Sequence, residues 1–423
     1  MSRFGPVDKR LDHVALEHRV LERWERERTF EALREQNRGG PPYSFLDGPI
    51  TANNPMGVHH AWGRTLKDMW QRYHAMLGER GRYQNGFDCQ GLWVEVEVEK
   101  ALGLNSKPEI ESYGLDRFAR ACRDRVATYA DVQTRQSVRL GQWMDWERSY
   151  FTMTDVNISY IWGFLKTCQE RGWLYRGHRS MPWCPRCGTS LSQHELIDSY
   201  RDITHPSLHV RLPLRDRHRE YLVVWTTTPW TLPANVAAAV LPGADYARVE
   251  TGSGIAHFAA ARLEHVPVRG TLLGTVKGAE LVGLAYDGPF DDLPAQAGVE
   301  HRVVAWEDVS MEEGTGIVHI APGCGAEDFE LGRREGLQTL VPVDEAGMFV
   351  DGYGWLHGRH TADAAQPVVE ELGQRGRLVD AGEITHRYPV CWRCGTELIH
   401  RLVDEWFIRC DELRQPMIEA SRG

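Results

Sequence analysis

Two short cysteine motifs of nearly the same form, Cys184-Pro185-Arg186-Cys187-Gly188 and Cys391-Trp392-Arg393-Cys394-Gly395, stand about 200 residues apart. In each, the glycine permits the tight turn that aims two thiolates at one tetrahedral metal, and no other Cys-x-x-Cys occurs in the chain. Tandem knuckles are usually spaced far more closely. The simplest physical resolution is one zinc ribbon split in sequence by an inserted domain, its halves meeting in space. Four thiolates leave no open position for water or substrate, so the role expected of Cys184, Cys187, Cys391 and Cys394 is structural. A redox pair, or buried free thiols, are the rival readings.

At 423 residues the chain exceeds what one hydrophobic core organises, and two or three domains are expected. Of the nine cysteines, an odd number, four are committed to the knuckles; this usage points to a reducing, cytoplasmic compartment and not to a disulfide framework. No secretory signal is read at the start. The only long uncharged run, residues 221–244, carries Pro229, Pro233 and Pro242 and is not expected to span a membrane. The net charge of −10 means that a nucleic-acid partner must be met by a local basic patch, because the field of the whole chain repels it.

Leu16, Val20, Leu21 and Trp24 recur at helical spacing and predict an amphipathic helix in the first forty residues, ended by Arg38-Gly39-Gly40-Pro41-Pro42. A strand-like run, Tyr43 to Asp47, leads into a Gly-, Pro- and Asn-rich loop from Gly48 to Gly57. A second helix is expected from about His60, with Trp62, Leu66, Met69, Trp70, Tyr73 and Leu77 on one face. Strand, loop and helix in that order, with His59 and His60 at the helix start, form the unit with which α/β domains bind phosphate. No G-x-G-x-x-G is present. Val94 to Glu99 alternates as a strand does but is read as a helix leading to Leu102. Between the knuckles the pattern turns to short Val-, Thr- and Ile-rich runs, Tyr221 to Thr227, Ile317 to Ile320 and Leu340 to Val343, punctuated by Gly and Pro. The expected division is 1–202, 203–385 (compact and mainly β) and 386–423.

Several of these segments resemble the class I aminoacyl-tRNA synthetases, and among them the isoleucyl branch, over essentially the whole chain. Asp47-Gly48-Pro49-Ile50-Thr51-Ala52-Asn53 is similar to the approach to that family's ATP signature, and Gly86-Phe87-Asp88 to its amino-acid pocket. Trp225 to Asn235 is similar to the threonine-rich segment of the inserted editing domain. Gly314-Thr315-Gly316-Ile317-Val318-His319, with Ala321-Pro322 and Glu327-Asp328, is similar to the second editing motif. The resemblance implies the first half of a doubly wound, Rossmann-like catalytic domain, with a zinc ribbon and an inserted, mainly β editing domain. It implies ATP, with Mg, and isoleucine and its tRNA as substrates, a structural zinc, and hydrolysis of valyl-tRNA. In that branch of the family discrimination by one methylene is worth roughly 1–3 kcal/mol, a magnitude for which the branch is itself the standard example, and the resemblance implies a second hydrolytic site that supplies the rest.

By the same resemblance, Asp88 binds the substrate ammonium, Pro49 lines the isoleucine pocket, and His59 and His60 sit near the ATP phosphates. In the editing domain Asp328 holds the α-ammonium of the misacylated residue, while Thr227, Thr228 and His319 shape the pocket and bind the terminal ribose. From composition alone, these would read as a surface carboxylate, strand threonines and a buried histidine. Two departures stand out. The family's H-x-G-H reads here Gly57-Val58-His59-His60. The second signature, Lys-Met-Ser-Lys-Ser, has no counterpart, lysine occurring only at 9, 67, 100, 107, 166 and 277. The remainder of the catalytic fold is expected on a C-terminal chain. A free-standing editing hydrolase and a non-catalytic zinc-bearing tRNA-binding module are the alternatives.

Overall fold

The computed structural model describes residues 10–45 and 48–422, which fall into two compact units separated between Gly172 and Trp173. Leu46 and Asp47, the end of the expected strand-like run, therefore lie outside the described residues. The first unit contains, in chain order, α1 (His13–Arg26), α2 (Thr29–Gln36), β1 (Pro42–Tyr43), β2 (Ile50–Thr51), α3 (Val58–Met76), β3 (Arg80–Gly81), β4 (Gly86–Asp88), α4 (Leu92–Leu102), α5 (Lys107–Tyr113), α6 (Leu115–Arg139), β5 (Tyr150–Phe151) and α7 (Asp155–Glu170).

The amphipathic start forms two helices where the periodicity predicted one. Asp12 caps α1 by accepting the Ala15 amide at 3.0 Å, and the left-handed backbone of Arg28 (φ 50°) breaks the run before α2. Strands β2, β4 and β5 make a parallel sheet in the order β2-β4-β5, and β1 pairs with β3 in parallel. The alternating Val94–Glu99 run is helical, as expected. Val94, Val96 and Val98 are buried, and the acids that alternate with them are paired: Lys107 reaches Glu95 at 2.8 Å and Glu99 at 3.1 Å, and Lys100 reaches Glu97 at 2.8 Å.

Helix α3 starts two residues earlier than expected, and its apolar face points outward. Trp62, Leu66, Met69, Trp70, Tyr73 and Leu77 are all exposed, whereas Arg64, Gln71 and Ala75 are buried. On α7, Val156, Tyr160, Trp162 and Phe164 are also exposed, and Cys168 is its buried residue. Isolated exposed apolar side chains are ordinary, but an unbroken stripe along a 19-residue helix marks a contact surface.

The second unit contains β6 (Leu174–Cys184), β7 (Thr189–Ser190), α8 (Gln193–Leu196), β8 (Tyr200–Pro213), β9 (Glu220–Thr226), β10 (Ala237–Val240), β11 (Asp245–Thr251), β12 (Gly254–Ala259), β13 (Thr271–Lys277), α9 (Gly278–Leu281), β14 (Arg302–Ala305), β15 (Ile317–Ile320), α10 (Ala326–Glu335), α11 (Ala365–Gln374), β16 (Leu378–Pro389), β17 (Ile399–Ile408) and α12 (Asp411–Arg422). A six-stranded sheet runs β13-β11-β12-β9-β8-β16 and a three-stranded one β14-β10-β15, while β17, β6 and β7 form an antiparallel ribbon. Leu208, Val210, Leu222 and Val224 from the large sheet pack with Ala238, Val240 and Ile317 from the small one in one core. The run Leu340–Val343 does not form the strand its composition suggests. Only an isolated bridge joins Val343 to Phe349, because Pro342 offers no amide to a ladder.

Two antiparallel ladders set the placement of the cysteines. One pairs β8 with β16 from Tyr200–Pro389 to Val210–Leu378, and the other pairs β6 with β17 from Leu174–Ile408 to Trp183–Ile399. Both ladders end beside the knuckles, so segments about 200 residues apart in sequence are brought together by backbone hydrogen bonds before any metal is considered.

Candidate functional site

The four knuckle sulfurs lie within 4.8 Å of one another, Cys184 Sγ being 3.5 Å from Cys394 Sγ and Cys187 Sγ 4.0 Å from Cys391 Sγ. A tetrahedral zinc with bonds of about 2.3 Å needs sulfurs about 3.8 Å apart, so the donor set fits that ion. An inter-knuckle disulfide would need about 2.05 Å, and all nine cysteines are free thiols. The turn of each knuckle is closed by its glycine in the left-handed region, Gly188 at φ 62° and Gly395 at φ 78°.

In the first unit the carboxyl end of the parallel sheet gathers polar groups. Asp88 ends β4; its Oδ2 accepts from the Thr51 hydroxyl at 3.1 Å and its Oδ1 from the Thr152 hydroxyl at 3.4 Å. These two hydroxyls come from the ends of the flanking strands, so the carboxylate is oriented from both sides. Pro49 is half-buried just before β2. At the start of α3, His60 Nδ1 accepts the Gly57 amide at 3.1 Å, and the His59 ring is exposed with its centroid 3.8 Å from that of His60. Burial, the neighbouring His59 and Arg64 all lower the His60 pKa, so the ring is neutral near pH 7. The capping contact leaves Nε2 as its free nitrogen. The larger cavity of this unit, about 690 Å³, is lined by none of these residues, and its wall sets Arg34, Arg80 and Arg82 against Glu31, Glu79 and Asp145.

The second unit holds a cavity of about 330 Å³ that brings together all four sequence-predicted residues of its kind: Thr227, Thr228, His319 and Asp328. Thr227 and Thr228 follow the end of β9, and Thr228 begins a 3₁₀ turn, Pro229–Ala234, for which Pro229 presets the backbone. His319 is on β15, opposite Ala238 of β10. Asp328 is in the first turn of α10, where the helix dipole favours a carboxylate.

Asp328 Oδ2 accepts the Ala321 amide at 2.8 Å, and among the described residues no cation pairs with it. Burial dominates and pushes its pKa up to about 6, with Glu327 adding to the rise and the Ala321 amide opposing it. A carboxylate held this way lacks a counter-charge until a cationic ligand supplies one. His319 is buried and its pKa is lowered to about 4 by loss of solvent, so it is neutral at physiological pH. Its Nε2 lies 3.0 Å from the Thr231 hydroxyl, which donates to the Thr228 carbonyl at 2.8 Å.

Sequence reasoning did not single out Thr231 or Cys324, which also line the cavity. Thr231 was recoverable, since three residues after Thr228 on a 3₁₀ turn is the eclipsed position. Cys324 carried no local signal. No helix among the described residues is long and apolar enough to cross a membrane.

The chain thus joins a parallel α/β unit with a carboxylate at its strand ends to a β unit with four converging cysteines and a cavity lined by threonines, a histidine and a buried carboxylate. The model of the class I tRNA synthetases (I, L, M and V) matches residues 19–423, and the chain belongs to that family. Curated relatives narrow the likeness. The chain is 40% identical to the isoleucine–tRNA ligase of Thermococcus kodakarensis over 422 residues, covering 96% of this chain and 39% of the relative. It is 40% identical to that of Methanothermobacter thermautotrophicus over 407 residues (95% and 38%) and 41% identical to that of Thermus thermophilus over 414 residues (96% and 39%). The chain thus spans about two fifths of the length of these relatives.

Proposed function

We propose that this chain is the amino-acid-activating half-site and the editing module of an isoleucine–tRNA ligase. Residues 1–202 are the first half of a doubly wound nucleotide fold with the first knuckle, residues 203–385 the inserted editing domain, and residues 386–423 the second knuckle and the return to the catalytic fold. The observation that carries this reading is the convergence of Thr227, Thr228, His319 and a buried Asp328, without a cationic partner among the described residues, on one cavity. The Asp328 carboxylate accepts the α-ammonium of a valyl ester, a charge-assisted contact that orients the ester carbonyl for water. The threonine hydroxyls and the His319 ring hold the terminal ribose and limit the room for the side chain. Cys184, Cys187, Cys391 and Cys394 hold a zinc that is structural and takes no part in the hydrolysis.

In the first unit, Asp88 pairs with the ammonium of isoleucine, Pro49 lines its pocket, and His59 and His60 stand by the phosphates of ATP and its Mg. The outward apolar faces of α3 and α7 support a partner: the remaining three fifths of a synthetase, on the same or a separate polypeptide, buries them and brings the missing lysine-bearing signature. Adenylation needs its phosphates held from both halves of the fold. We therefore expect no isoleucine-dependent exchange of pyrophosphate with ATP from this chain alone, and recovery when the C-terminal portion is added; exchange by the homogeneous chain would refute this assignment.

The editing cavity is complete within the second unit, which favours, as a second reading, hydrolysis without ATP by the isolated chain. The experiment is direct. The chain, given valyl-tRNA and isoleucyl-tRNA of the isoleucine acceptor, should release valine faster than isoleucine by about 10–200-fold, the range one methylene supplies. Equal release, or none, would remove the editing assignment.

A further inference from the structure

The segment Glu312–Gly316, of which residues 313–316 line the cavity, forms one of its walls, and its local bonds are side-chain ones: the Glu312 amide donates to the Ser310 hydroxyl at 3.1 Å and the Thr315 hydroxyl donates to the Ile317 carbonyl at 3.1 Å. Gly314 and Gly316 are both left-handed, at φ 54° and 68°, and the segment precedes the first ladder bond of β15. Its position is set by what grips its carbonyls. Arg262, at the end of the 3₁₀ turn after β12, donates from Nη1 to the Glu312 carbonyl at 2.7 Å and from Nε to the Gly314 carbonyl at 3.1 Å. The Ala259 amide donates to the Thr315 carbonyl at 2.8 Å, and the Tyr246 hydroxyl to the Gly316 carbonyl at 2.9 Å. Among the described residues Arg262 has no carboxylate partner, so its guanidinium is committed to these two carbonyls.

The grip presses the segment against Trp225. A Cβ at Gly314 would stand 2.7 Å from Cε3 of the Trp225 indole, whose Nε1 is tied to the Ser207 hydroxyl at 2.8 Å. Trp225 and Gly314 both line the cavity, so the gap between the wall and the rest of the site depends on how tightly the segment is held.

We infer that Arg262 is a positioning residue for the editing cavity: its fork fixes the Glu312–Gly316 wall against Trp225 and so sets the size of ester admitted. The inference rests on the editing reading proposed above. Only arginine fits this role, because two carbonyls two residues apart are spanned by a planar fork and not by the single ammonium of lysine. With the fork removed, both carbonyls turn to water, the glycine segment relaxes away from the indole, and the extra methylene of isoleucine is no longer refused.

The test uses the full chain with Arg262→Ala and Arg262→Lys, and reads two quantities. The first is the ratio of valyl- to isoleucyl-tRNA deacylation, which should fall about tenfold in both variants, with millimolar guanidinium restoring it in Arg262→Ala only. The second is hydrogen exchange at the Ala259 amide, which reports the segment without any substrate and should quicken about tenfold. A ratio and an exchange rate both like those of the parent would overturn the inference. If the parent chain hydrolyses neither ester, the editing reading falls by itself and the exchange rate alone decides the role of Arg262. Should Arg262→Ala fail to fold, Arg262→Lys, which keeps the charge and the stem, carries both measurements.

Discussion

Asp328→Asn is expected to lower valyl-tRNA deacylation by two to three orders of magnitude while raising the melting temperature of the chain. Both effects come from one buried carboxylate. In the hydrolytic reading it is the counter-charge of the substrate ammonium, and losing a desolvated charge pair costs about 3–5 kcal/mol. Without substrate the same group is ionised in a poorly solvated site with one backbone amide for company. Its pKa, raised from about 3.9 in a free chain to about 6 in the fold, means that folding favours the protonated form. Stability contributed by that form is present below about pH 4 and is lost as pH rises through about 6, so at pH 7 the parent chain bears a penalty on the order of 3 kcal/mol that asparagine relieves. Calorimetry at pH 5 and pH 7.5 should show the stabilisation growing with pH. The catalytic sign is opposite: deacylation by the parent should fall as pH drops through about 6, where the carboxylate takes up a proton. A variant that is both inactive and less stable would mean that Asp328 is a structural carboxylate, and a pH-independent rate between 5 and 7.5 would mean that it does not meet a cation.

Loss of the metal from single cysteine variants is the second large effect. The chain should carry about one zinc, and Cys391→Ser should release it as completely as Cys184→Ser, since both thiolates belong to one donor set. A structural tetrathiolate zinc contributes apparent binding energies of about 10–16 kcal/mol at pH 7 in small domains. Here the ladders β6/β17 and β8/β16 hold the segments together as well, so the variants should remain folded, with the loss confined to the knuckles. Metal analysis would show it, and faster exchange of the Gly188 and Gly395 amides, which donate to the Cys184 and Cys391 carbonyls, would confirm it. Half-loss from each variant separately would mean that the knuckles do not share an ion.

The sequence was most legible where chemistry is carried by residue type and short spacing. Two Cys-x-x-Cys-Gly turns can aim four thiolates at one point whatever lies between them, and the sulfurs do converge. The threonine run and the Gly-Thr-Gly…His…Asp pattern were readable only through their resemblance to a known family, and in the structure their residues line one cavity. The run Val94–Glu99, read as a helix in spite of its strand-like alternation, lies in α4.

What the sequence could not supply are quantities that depend on neighbours distant along the chain. The periodicity of α3 marked its apolar face but not its direction; the core of the first unit accepts Arg64, Gln71 and Ala75 and leaves the tryptophans to a surface that nothing in the chain covers among the described residues. Arg262 was invisible because its partners are backbone carbonyls about 50 residues away, which carry no residue-type signal. The sequence by itself determined which groups could bind a metal, since that follows from four thiolates at this spacing, whereas the ammonium and ribose roles rest on the resemblance to a family. Only the tertiary structure decided that Asp328 has no counter-charge among the described residues, that His319 is neutral and that the cavity wall is held from β12 and the turn after it. Solvation and the direction of a hydrogen bond are properties of packed surroundings, and no local stretch of sequence contains them.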